Sequence, residues 1–348
     1  MKHRSHKQSA REDFETPREI LPAKGAPNEP GKAFPRQPVK TFNGALHFVV
    51  VLVVNCTSKY SGITVQPAGR ETKPWLPCSQ HFDRNCNSSR FTYIESTLAN
   101  PGSIRAAVLP DRNTILYIHG FMENTEADNV QIIIRAYLDK GDVNVILVDW
   151  GDVAIDINYF YVASQVAAVG KALAESLEKL VEVINLNTLH VIGHSLGAHV
   201  AGHIGRYTNV TLSRITGLDP ALPLFYPSAC HIKSSDAEAV VILHTDGGFY
   251  GTPIDTGSVD FYANRGISLQ PGCPIIIGGE LCSHQRSVKI YAESLKNPKA
   301  FPAHKCFDKI MENGKDDREV YFGDSTPKNI FGPYCFNTNA YSPYGKGT

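Results

Sequence analysis

The five residues Gly193-His194-Ser195-Leu196-Gly197 hold a serine hydroxyl between two glycines, a spacing suited to nucleophilic attack on an acyl carbon. A hydroxyl is a weak nucleophile until a base takes its proton, and the base works only when an acid orients it. Leu189–Ile192 reads as a short strand before the serine and Ala198–Tyr207 as a helix after it. Reversing from strand to helix within a few residues forces unusual backbone angles on the serine. A side chain at Gly193 or Gly197 would clash there. The turn also sets the hydroxyl at a helix N-terminus, where free N–H groups and the dipole stabilise negative charge. A glycine-rich turn without chemistry is the bland alternative, and the strand and helix on either side argue against it.

The partners must come from elsewhere in the chain, in the order serine, acid, histidine. Asp219 closes the first strand after the serine, Arg214–Leu218, and Asp246 closes the second, Val240–His244. Position alone does not separate the two. The histidines that follow Asp219 are His231, His244, His284 and His304. His244 falls inside a strand and reads as a packed or hydrogen-bonded residue. His284 lies beside Cys282, where a disulfide would fix a loop and hold the imidazole, so it is the preferred base. Attack on a carbonyl also needs N–H donors where the oxygen becomes charged. Leu196 supplies one, directly after the serine. The loop Ile118-His119-Gly120-Phe121, after the strand Thr114–Ile118, suits the second, with Phe121 as donor. His199 and His203 stand four apart on one helix, but no third ligand accompanies them, so no metal is expected. No cofactor is expected either.

These residues need a scaffold. Strands at Thr114–Ile118, Val143–Val148, Leu189–Ile192, Arg214–Leu218 and Val240–His244 alternate with helices at Ala127–Leu138, Tyr161–Ile184 and Ala198–Tyr207. The long helix carries Val162, Val166, Val169, Leu173, Leu177, Leu180 and Ile184 at helical spacing. Strand–helix alternation predicts an α/β fold, a mostly parallel sheet covered by helices on both faces, in a single domain over residues 70–348.

The 348 residues balance 34 Lys and Arg against 34 Asp and Glu, which leaves no basic footprint for nucleic acid. Residues 1–44 form a polar, proline-rich leader that cannot bury enough surface to order itself. The apolar run from Ala45 to Val54 is too short to span a bilayer and suits the core of a signal peptide over 45–56, cleaved after Cys56. A buried strand at the start of the domain is the alternative. Eight cysteines, with sequons at Asn55, Asn87 and Asn209, point to an oxidising, extracellular compartment. A disulfide between Cys273 and Cys282 would close a loop of eight residues, which the geometry of the bond permits.

Gly193-His194-Ser195-Leu196-Gly197-Ala198-His199, Gly217-Leu218-Asp219-Pro220-Ala221, and Cys282-Ser283-His284 followed by Arg286-Ser287 together resemble the pancreatic lipase family. The resemblance runs from about Asn113 to Tyr344 and is closest to insect secreted lipases and phospholipases A1. It implies the α/β-hydrolase fold, with Ser195 as nucleophile, Asp219 as orienting acid and His284 as base. It likewise implies Phe121 in the oxyanion hole, and a lid over the site bracketed by Cys273 and Cys282. Triglyceride lipases of the family carry a longer lid, so the short one resembles phospholipase A1 members. The implied activity is a secreted lipid-ester hydrolase working at a lipid–water interface. The alternative is a non-catalytic lipid-binding or yolk-storage protein on the same fold, whose relatives typically lose one of the three residues. The family's C-terminal β-sandwich has no counterpart, so no colipase-type partner is expected. Ser258, Ala263 and Arg265 depart from the family's His, Pro and Gly. A cysteine missing after Gly314 leaves Cys306 to pair elsewhere, with Cys335 the candidate.

Overall fold

A computed structural model describes residues 47–54, 90–227, 230–306 and 319–348, all within the compact unit Thr41–Thr348. The leader, Cys56 and the sequons at Asn55 and Asn87 lie outside the described residues. Asn209 is exposed after a helix.

In chain order the elements are β1 (His47–Val54), β2 (Arg90–Thr97), α1 (Gly102–Ala107), β3 (Asn113–Ile118), α2 (Asp128–Lys140), β4 (Val143–Asp149), α3 (Gly151–Ala154) and α4 (Tyr159–Glu178). They continue with β5 (His190–His194), α5 (Leu196–Tyr207), β6 (Arg214–Leu218), β7 (Ala239–His244), β8 (Val259–Ala263), α6 (Gly279–Lys296), β9 (Pro302–Lys305), β10 (Val320–Tyr321) and β11 (Gly332–Phe336). Among the described residues the sheet order is β10-β9-β11-β8-β7-β6-β5-β3-β4-β1-β2. From β11 to β4 every pairing is parallel; β1, β2, β9 and β10 add antiparallel edges.

Alternate residues of each central strand enter different cores, as the two-residue period of a strand requires. Leu116, Ile118, Ile146 and Val148 pack with α4 and α5 on one face. Ile115, Tyr117, Val145 and Leu147 pack with α2 and α6 on the other. Both faces are covered, which is why these strands are apolar throughout. The seven apolar positions expected on the long helix are all buried. Helix α4 nevertheless ends at Glu178, earlier than predicted. Leu180 and Ile184 keep the helical spacing while lying in turns, where the N–H of each bonds a carbonyl three or four residues back.

The apolar run from Ala45 to Val54, expected as a signal-peptide core with a strand at the start of the domain as the alternative, contains strand β1, antiparallel between β2 and β4. A short unbroken run of Val and Leu carries no periodicity that separates a buried strand from an export segment. His284, expected in a disulfide-fixed loop, sits instead in the second turn of α6. The first half of that helix buries Ser283, His284, Arg286 and Ser287 beside the site, and only its second half buries an apolar set, Val288, Ile290, Tyr291 and Leu295, so the apolar stripe is half as long as the helix.

Candidate active site

Ser195 lies between β5 and α5, at φ 56° and ψ −120°, a conformation an L-residue adopts only under constraint. The constraint is visible on both sides. A Cβ on Gly193 would stand 2.2 Å from the Gly197 carbonyl oxygen, and one on Gly197 would stand 2.3 Å from that of Ile118 in β3. Only glycine fits either position. The Ser195 N–H bonds the Leu218 carbonyl at 3.0 Å and ties the turn to the neighbouring strand.

Asp219 follows β6 directly, at φ 47°. Its Oδ1 accepts the backbone N–H groups of Thr245 at 2.7 Å and Asp246 at 3.0 Å. Its Oδ2 accepts from His284 Nδ1 at 2.6 Å, and both side chains are buried. Gly251 presses on the carboxylate from another side, where a Cβ would come within 2.3 Å of Oδ2. With Nδ1–H donated to Asp219, His284 carries its free lone pair on Nε2. Burial lowers the His284 pKa; the bond and charge of Asp219 oppose that shift, and the neighbouring His194 adds to it. On balance the charged form of the imidazole is disfavoured.

The two candidate acids are therefore told apart by geometry. Asp246 bonds Ser268 Oγ and the Tyr250 N–H rather than an imidazole. Ligating atoms of Asp219, Asp246 and His284 lie within 4.8 Å of one another, and within that cluster Asp219 Oδ2 and His284 Nδ1 are bonded to each other. Burial lifts the Asp246 pKa from 3.8 to about 7, with Asp219 and Glu280 adding repulsion and its two hydrogen bonds opposing. The unfolded chain ionises this group near pH 4 while the folded chain keeps the proton to about pH 7. The folded state binds more protons in that window, so stability falls as pH rises through it. Asp246→Asn is expected to match the native thermal midpoint near pH 4 and exceed it above pH 7. A difference that does not vary with pH, in melting curves across that range, would show that the carboxyl does not titrate there.

Of the two predicted donors, Leu196 follows the serine directly and Phe121 lies in the loop after β3. The loop after β3 runs against it, since a Cβ on Gly120 would stand 2.9 Å from Ser195 Cβ. Among the described residues neither the Phe121 nor the Leu196 N–H donates to a protein acceptor. His244 is a packed residue, with Nε2 2.9 Å from Asp260 and Nδ1 2.8 Å from the Thr252 carbonyl. In His199, Nδ1 accepts the Ile232 N–H and Nε2 bonds the Ala221 carbonyl, so its one lone pair is already used. Burial pushes its pKa down to about 3.

Cys273 and Cys282 are joined, with Cα atoms 5.7 Å apart, which staples the first turn of α6 to the loop before it. Cys306 pairs with Cys335. Ile275, Ile276 and Ile277 inside the small loop point outward, each more than 80% exposed. Ile157, Phe160 and Phe249 are also exposed. Their neighbours reach the site: Tyr159 packs edge-on against Phe121 at 5.1 Å, and the Tyr250 ring lies 5.7 Å from His284. Among the family departures, Ser258 clips β8 to β7 through the N–H and carbonyl of Val240. Arg265 holds φ 76°, a left-handed conformation that the family's glycine would adopt freely.

Sequence reading missed Glu123, which is buried under the loop after β3. Its only signal is a lone carboxylate three residues past Gly120, a pattern too common to single out.

A parallel sheet covered on both faces, with a constrained serine after one strand and a carboxylate–imidazole pair after the next, is the α/β-hydrolase arrangement. The family described as Lipase matches residues 86–313. Lipase member H-A of Xenopus laevis is 35% identical over 254 residues, 70% of this chain and 52% of that protein. The pancreatic triacylglycerol lipase of Myocastor coypus is 33% identical over 72% of this chain and 60% of its own length. Phospholipase A1 1 of Vespa affinis is 36% identical over 61% of this chain and 67% of its own length. The chain belongs to the lipase family, and it spans about half to two thirds of the length of these relatives.

Proposed function

We propose that this chain is a secreted serine carboxylester hydrolase acting on lipid esters at a lipid–water interface. The observation that carries the reading is the 2.6 Å bond from His284 Nδ1 to Asp219 behind the strained Ser195 turn. Ser195 Oγ attacks the ester carbonyl, and His284 Nε2 takes its proton and then passes it to the departing alcohol. The N–H groups of Phe121 and Leu196 receive the charge on the carbonyl oxygen. Water, deprotonated by the same imidazole, then releases the fatty acid from Ser195.

Lipid is the favoured substrate because apolar side chains stand exposed on segments adjoining the site. Phospholipase A1 action is favoured over triglyceride lipolysis. The loop between Cys273 and Cys282 is short, and a long apolar lid would meet a polar head group unfavourably. Relatives named for each activity are similar to this chain. Export rests on the two disulfides and the apolar run before residue 55. A cut after Cys56 would take β1 out of the sheet, so cleavage there and a sheet containing β1 are alternatives for the mature chain. The test offers the purified protein phospholipids labelled separately at the two acyl positions, beside a triglyceride. Release from the first position alone is the expected result. Turnover of triglyceride alone overturns the A1 assignment, and no release from any lipid overturns the enzyme.

A further inference from the structure

The loop that carries Phe121 needs a fixed position, because a donor displaced by about 1 Å costs catalysis on the order of 10². What fixes it is a buried carboxylate. Glu123 Oε2 accepts the Gly120 N–H at 2.8 Å and bonds His194 Nδ1 at 3.2 Å, while Oε1 accepts from Asn129 of α2 at 2.8 Å. With the Gly120 N–H occupied, the next N–H, that of Phe121, is the one left to the substrate. His194 is the residue before the serine, and its ring lies 4.8 Å from that of His284. One carboxylate thus ties together the donor loop, the serine turn and the vicinity of the base.

We propose that Glu123 and His194 form a positioning pair that sets the oxyanion loop against Ser195 and holds the His194 ring beside His284. The proposal rests on the serine-hydrolase reading above. Charges around the pair are consistent with it. Burial alone would lower the His194 pKa, but Glu123, and to a smaller extent Asp219, raise it overall. Burial would raise that of Glu123, and His194 with the bonds from Asn129 and Gly120 brings it well below the usual carboxylate range. The groups facing His284 are Asp219 after β6, His194 in β5, Glu123 after β3, and Asp246 and Tyr250 after β7. Of the pair, His194 acts more strongly on His284 than Glu123 does, so together they disfavour its protonation. Removing the carboxylate takes away the group that most favours a charged His194, and with less positive charge there the His284 pKa rises.

The test compares Glu123→Gln and Glu123→Ala in the full chain, using a soluble short-chain ester across pH, with thermal unfolding as the control for folding. The glutamine oxygen can still accept the Gly120 N–H. Glu123→Gln is therefore expected to keep kcat within about tenfold while moving the acid limb of kcat/KM to higher pH. Glu123→Ala should lose about 10²-fold in kcat with KM within twofold, the scale of losing one oxyanion donor. Wild-type kcat and pH profiles in both folded variants overturn the proposal, as do equal losses in both with no shift of the acid limb. Should either variant fail to fold, His194→Gln, which keeps the loop anchor and removes the charge, is expected to show the same acid-limb shift, and an unmoved limb overturns the charge role. An inactive wild type would instead overturn the hydrolase reading itself.

Discussion

Ser195→Ala is expected to lower kcat on a lipid ester by about 10⁶ while leaving KM nearly unchanged, the scale of removing the nucleophile from another serine hydrolase. In the proposed mechanism the covalent acyl-transfer route runs through that hydroxyl, because nothing adjacent can replace it. His194 is engaged with Glu123, and Asp219 with His284 and two backbone N–H groups. The proposed donor pair, Phe121 and Leu196, would survive the substitution and still polarise a carbonyl toward water. Initial rates on micellar substrate measure the effect, and a variant retaining more than about a hundredth of native kcat points to a different nucleophile.

Asp219→Asn is expected to cost about 10⁴ in kcat, by the effect that the wrong imidazole tautomer has in another serine hydrolase. The reason is specific to the bonds here. Thr245 and Asp246 both donate to Oδ1, so the asparagine oxygen stays at that position and its NH₂ turns toward His284. Nδ1 must then accept, the ring proton moves to Nε2, and the base can no longer take a proton from Ser195. Asp246 is poorly placed to rescue it, since its oxygens are held by Ser268 and the Tyr250 N–H. Near-native kcat in the variant, measured with the same substrate, would mean that another group orients His284.

The fold was readable where burial is apolar on both sides. Strands β3 to β7 and helices α2, α4 and α5 show the periods that two covered faces impose, and their boundaries fall within about two residues of those expected except at the end of α4, which stops at Glu178 rather than Ile184. The edges were not readable. Strands β9, β10 and β11 are short, and β9 and β11 mix polar with apolar residues, so they carry no strong alternation. Helix α6 stayed hidden because the first half of its inward face is polar beside the site, which leaves only a short apolar stripe in the second half. At the site itself, the serine turn is legible because sterics restrict it to glycine on both sides. The choice between Asp219 and Asp246 is not legible from position, since each ends a parallel strand. Two backbone donors, one imidazole and the close approach of Gly251 separate them, and all are contacts between distant parts of the chain. Glu123 is invisible for the same reason, because a carboxylate becomes informative only once its three partners surround it.

The most direct measurement is covalent trapping of the nucleophile. The native protein would be treated with a long-chain alkyl phosphonate p-nitrophenyl ester, and the adduct located by peptide mass spectrometry. One equivalent on the peptide bearing Ser195, with lipid hydrolysis lost in proportion to labelling, is the predicted result. Loss of activity with the adduct on another residue, or full activity in protein already phosphonylated at Ser195, would contradict it.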